Sequence, residues 1–142
     1  MYKVKKGLII QGFFDRLMLG ELKDVMIAGY IDYATLPIFH PFYDRLYFII
    51  DEVIFELYLS EAGIIQYNEL TEIKAWLTLD DDDHFSLMSI YSQLFKTEQA
   101  VIITDITYSS IPFSSISISY VNGQDCGNLL FDPNHFFGFT FL

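Results

Sequence analysis

The run Asp80-Asp81-Asp82-Asp83-His84 is the one place in this 142-residue sequence where groups capable of chemistry stand in an unbroken row. Carboxylate oxygens suit hard cations such as calcium. A helix–loop–helix calcium site spaces its ligands at alternate positions, needs a central glycine and closes on a bidentate Glu. The run has none of these features. It therefore reads as a solvated acidic loop or a docking surface for a basic partner, with no metal implied.

Asp51, Glu52, Glu56 and Glu61 form a second acidic concentration. Paired carboxylates serve acid–base catalysis only when held at a defined separation with split pKa values, and spacing along the chain does not set that separation. Solvated strand and turn positions are the ordinary reading. Together with Asp80–Asp83, these residues are expected to make one anionic face.

The histidines His40, His84 and His135 show neither metal-ligand spacing nor an H-E-x-x-H arrangement. His40 lies between Phe39 and Pro41, and His135 between Asn134 and Phe136, which suits packed or surface positions in turns. The serines occur in strand alternation or loops, without the G-x-S-x-G elbow. A Ser–His–Asp triad is a matter of geometry and stays open at this level. The chain has no phosphate loop and no G-x-G-x-x-G. The single cysteine, Cys126, cannot form an internal disulfide and reads as a small inert hydrophobe in a reducing compartment. No catalytic residue and no cofactor are implied, and the expected class is a non-enzyme.

Charge is the outlying property. Nineteen Asp and Glu face eight Lys and Arg, giving −11 at pH 7. A field of that sign repels nucleic acid and anionic membrane while steering cationic partners inward. Lys3, Lys5 and Lys6 begin like a signal peptide, but the apolar run Leu8–Ile10 stops at Gln11, too short for a secretory core. The longest uncharged stretch, around residues 106–124, contains Pro112, Asn122 and many serines, and could not span a bilayer as an apolar helix. A soluble, cytoplasmic protein without membrane or nucleic-acid partners is expected.

These groups must be positioned by one domain, residues 1–142, since neither a linker-like tract nor an internal repeat divides the chain. Hydrophobic residues make up 52% and aromatics 18%, a composition suited to pleated, half-buried surfaces. Ser115–Val121 alternates Ile116, Ile118 and Tyr120 with serines, the pattern of a strand with one buried face. Asn122-Gly123 predicts a tight turn. Leu129–Asp132 then reads as the returning strand, reached through a longer loop or a bulge at Gln124–Asn128. Asp132-Pro133-Asn134 reads as a turn, and Phe137, Phe139 and Phe141 as a closing strand.

Upstream, Glu72–Leu79 and Ala100–Tyr108 are expected as strands, and Arg45–Leu59 as two strands breaking near Asp51-Glu52. Short helices are expected at Glu21–Ala28, ended by Gly29, and at Ser86–Phe95, where a strand is the alternative. The fold class is mainly β, an antiparallel sheet, sandwich or strongly bent sheet with one or two short helices; α+β is the alternative.

The closing run Gly127-Asn128-Leu129-Leu130-Phe131-Asp132-Pro133-Asn134-His135-Phe136-Phe137-Gly138-Phe139, within a compact acidic domain, resembles bacterial immunity proteins of contact-dependent inhibition and polymorphic toxin systems. The likeness extends from Leu46 onward. It implies a protein that binds a cognate toxin domain, basic and in many cases a nuclease, and blocks it in the cytoplasm as a monomer or homodimer. The expected contact residues are Asp51, Glu52, Glu56, Glu61, Asp80, Asp81, Asp82 and Asp83, with aromatic anchors among Tyr43, Tyr58, Tyr67 and Trp76. A structural adaptor domain and a small hydrolase or ligand-binding β domain are the competing readings.

Overall fold

The β-branched and aromatic stretches on either side of Asp51-Glu52 form paired strands, as their composition predicts. In the computed structural model, which describes residues 2–34, 36–42, 45–75, 79–109, 112–123 and 125–132, with side chains from residue 10 onward, they are β3 (Arg45–Ile50) and β4 (Val53–Leu59). Ile50 pairs with Val53, so the turn holds only Asp51 and Glu52. Asp51 takes the left-handed region, φ 52°, which Asp tolerates better than most residues. The remaining elements are α1 (Tyr2–Leu17), β1 (Leu22–Asp32), β2 (Phe39–Pro41), β5 (Ile65–Leu70), β6 (Asp83–Ser89), α2 (Tyr91–Phe95), β7 (Ile102–Tyr108), β8 (Ile116–Asn122) and β9 (Asp125–Phe131). Antiparallel sheets dominate and the mainly-β class holds.

β1 organises the larger sheet. Its residues 22–26 pair with β3 and 29–31 with β2, while 26–32 pair with β6. β2 and β3 therefore lie end to end along one edge of β1, and β6 lies along the other. β4 and β5 extend the β3 side. The second sheet runs β7-β8-β9. Leu22 joins the two, pairing with Ile50 on one side and bridging Val101 on the other.

Helix α1 holds both sheets to one core. Ile10, Phe13, Phe14 and Leu17 recur at helical spacing and all are buried. Phe13 meets Phe55 and Tyr67 of the larger sheet at ring distances of 5.2 and 5.0 Å. Phe14 meets Tyr108 and Phe113 at 5.2 and 6.2 Å. Phe48 and Phe131 close the core from the two sheets, 6.1 Å apart.

Several local expectations are corrected. Residues 21–28 are not a helix; they fall in β1. A bulge at Lys23 puts two residues opposite one, so Leu22 and Val25 both face inward and imitate helical spacing. Ser86–Phe95 splits into the end of β6 and a single helical turn, α2. Residues 2–17 form a helix, and among the described side chains its inward stripe begins at Ile10, just where the apolar run Leu8–Ile10 ends. None of the described residues between Glu72 and Leu79 is in a strand. The last hairpin is tighter than expected: Asn122 pairs directly with Asp125, and Gly123 supplies the positive φ, 65°. The predicted strand through Phe137, Phe139 and Phe141 lies outside the described residues.

Candidate functional site

Acidic residues converge where β1 ends and β6 begins. The bonds from Tyr33 N to Asp82 O and from Ile90 N to Val25 O, 2.9 and 2.8 Å, fix which pairs of this ladder exchange hydrogen bonds. Asp32 and Asp83 are directly opposed, and by that alternation they occupy a non-hydrogen-bonded position, where side chains approach most closely. Like charges at such a position destabilise a sheet. The turn before β6 adds Asp80, Asp81 and Asp82, all exposed. It is closed by the Asp83 amide donating to the Asp80 carbonyl, 3.0 Å. Asp32 Oδ1 accepts the Ala34 amide at 2.9 Å.

Partial burial first, then the charges of Asp32, Asp80 and Asp82, push the Asp83 carboxyl above its ordinary range, against a smaller opposing pull from His40. The corner is thus electrostatically strained in the direction that a cation would relieve.

Aromatic groups pack beside these carboxylates. Tyr30 stacks on His40 across β1 and β2, 4.9 Å between centroids, and Tyr33 meets His84 edge-on at 4.7 Å. Gly29 lets β2 approach, since a Cβ there would run into the His40 carbonyl and the Phe39 ring. Tyr33, Leu36 and Ile38 remain 56, 70 and 53% exposed. Apolar surface therefore lies against the acidic turn, a combination that no spacing of Asp residues alone revealed.

Glu56 is placed quite differently from its expected solvated position. It is 6% exposed and accepts from Arg45 Nη1 at 3.1 Å and from Asn68 Nδ2 at 3.0 Å. The Arg45 guanidinium lies 4.3 Å from the centre of the Tyr58 ring. Register explains the grouping: Arg45 is opposite Tyr58, Tyr47 opposite Glu56, and Glu56 opposite Asn68, all on the sheet face away from α1. Burial and then the Glu56 charge push the Tyr47 phenol far above its ordinary range. This is a buried, compensated ion pair whose disruption would strand a charge. It offers little to a docking protein.

The expected single anionic face does not form. Asp51 and Glu52 are exposed at the β3–β4 turn, next to the start of β1, whereas Asp80–Asp83 lie at its end. Eleven residues of strand separate them, roughly 30 Å. Glu61 is exposed in the β4–β5 turn. Tyr58 is half-buried under Arg45, and Tyr67 packs against Phe13 and Phe113. Tyr43 and Trp76 lie outside the described residues. Cys126 is exposed on β9 rather than packed.

Among the described residues no group of His, Cys, Asp and Glu is arranged to hold a metal ion, and no helix is long and apolar enough to cross a membrane. In comparisons with known proteins, no family model, no curated protein and no solved structure matches this chain.

Proposed function

We propose that this chain is a non-enzymatic immunity protein that binds a cognate bacterial toxin domain in the cytoplasm and blocks it, with the Asp32–Asp83 corner receiving a basic face of the toxin. The observation that carries this is the direct opposition of Asp32 and Asp83, extended by Asp80–Asp82. A strand pair selected for stability alone would not oppose two carboxylates at its closest position. Departures from local rules of this kind concentrate at functional sites. A toxin cleft that holds phosphates is basic, and carboxylates aimed at it accelerate association. Tyr33, Leu36 and Ile38 supply the apolar contact that charge lacks.

Co-expression with the toxin encoded beside this chain tests the proposal. Protection of growth and a purified complex are expected. No complex and no protection would sink it.

A further inference from the structure

We infer a second docking surface at the opposite end of β1, where the grooves flanking Leu19 receive a segment of a partner protein that carries branched or aromatic side chains between basic residues. Leu19 is 84% exposed and stands between two depressions. One, about 420 Å³, is lined by Met18, Leu19, Glu21, Ala100, Ile102 and Val121. The other, about 290 Å³, is lined by Arg16, Leu19, Ile50, Asp51, Val53 and Phe55, with Glu69 paired to Arg16 at its edge. Ile102 is 56% exposed as well.

The sheet join creates this arrangement. Leu22 pairs with Ile50 and Val101 together, so the β3–β4 turn and the lead into β7 flank the loop that follows α1. Ile102 pairs with Val121, which adds the last hairpin to the row.

The rim identifies the occupant. Glu21, Asp51, Glu52 and Asp125 are all exposed at this end. Among the described residues, Arg16 pairs with Glu69 and Lys23 lies 3.9 Å from Glu21, which leaves Asp51, Glu52 and Asp125 as the uncompensated charge of the rim. A second copy would bring one acidic rim against another, each on a chain of net charge −11, and like charges repel. A basic-flanked apolar segment instead meets an apolar centre inside a ring of opposite charge, the anatomy of a tight interface. The inference is independent of toxin inhibition and survives the failure of that proposal.

The probe is the peptide Arg-Lys-Leu-Phe-Leu-Lys-Arg, with Glu-Asp-Leu-Phe-Leu-Asp-Glu as its control. Fully extended, either spans about 24 Å, too short to bridge both ends of β1. Titration into the ¹⁵N-labelled chain should shift the amides of Leu19, Gly20, Ile102 and Val121. The variant Leu19→Ser/Ile102→Ser should weaken binding about tenfold or more, as loss of an interface anchor does. Replacing Asp80–Asp83 with Asn should leave it within about twofold, because those charges are several Debye lengths away at physiological salt. Both substituted side chains are solvent-exposed, so Tm should hold; if it falls, Leu19→Ser alone carries the comparison. Shifts confined to Asp80–Asp83, equal binding of the acidic peptide, no binding, or a self-association that Leu19→Ser abolishes would each overturn the inference.

Discussion

At one end of β1, Asp32 and Asp83 oppose each other beside an acidic turn, and exposed aromatic and aliphatic side chains are secondary. At the other, Leu19 and its grooves form the centre, and the carboxylates of Glu21, Asp51 and Glu52 stand only at the rim. Charge acts over distance and mainly sets how fast partners meet. Buried apolar contact acts at touching distance and mainly sets how long they stay. If both proposed surfaces bind, one strand carries at its two ends the two ingredients of a fast and durable complex, in opposite proportions.

The contrast presumes that both ends belong to one cooperative body, and the largest expected effect tests that premise. Phe14→Ala removes the ring joining α1 to Tyr108 and Phe113, and should cost about 3–5 kcal/mol in urea denaturation with near- and far-ultraviolet signals still coincident. Two separated transitions would mean that the sheets unfold independently. Next in size, replacing Asp80, Asp81, Asp82 and Asp83 together with Asn should slow association with the proposed toxin partner about tenfold or more at low salt, with the deficit vanishing at high salt. Stopped-flow mixing checks this, and unchanged kinetics would remove the corner from the encounter. Leu19→Ser should do the reverse for a partner seated there, raising the dissociation rate about fivefold to tenfold with little change in association; a pure association defect would contradict the division of labour.

The smallest effect concerns Asp83 alone. Its carboxyl titrates above the ordinary range in the folded chain, so the protonated form favours folding and that contribution is lost as pH rises through the raised value. Asp83→Asn should therefore raise Tm slightly at pH 7, with the gain shrinking as the solution is acidified and the native carboxyl is itself protonated. Thermal melts across that pH range would show it, and a Tm loss at pH 7 would mean that the carboxylate supports the fold.

How much of this was legible depended on how local each feature is. β3, β4, β7 and β8 were readable because alternation and composition are properties of the strand itself. The start of β1 was misread because the bulge at Lys23 changes which residues face inward, and only pairing with β3 determines that. Leu87, Ile90, Tyr91, Leu94 and Phe95 have helical spacing, yet pairing with β1 holds residues through Ser89 extended. The charge of Asp80–Asp83 was visible, but Asp32 opposite Asp83 was not, because that register joins distant parts of the chain. Glu56 looked solvated for the same reason: Arg45 and Asn68 reach it only across neighbouring strands.

The attachment of β6 also has a consequence for the order in which the molecule assembles. The β3–β4–β5 meander closes through short turns, so its loops are cheap to form early. β6 reaches β1 only after the whole meander has been bypassed, and pairings of that range form late. None of its residues is fully buried, all being half-buried or exposed, which favours its opening before the buried strands β3 and β4. In hydrogen exchange, the amides of β6 should lose protection before those of β3 and β4. The acidic corner is then expected to be completed after the meander and to open before it.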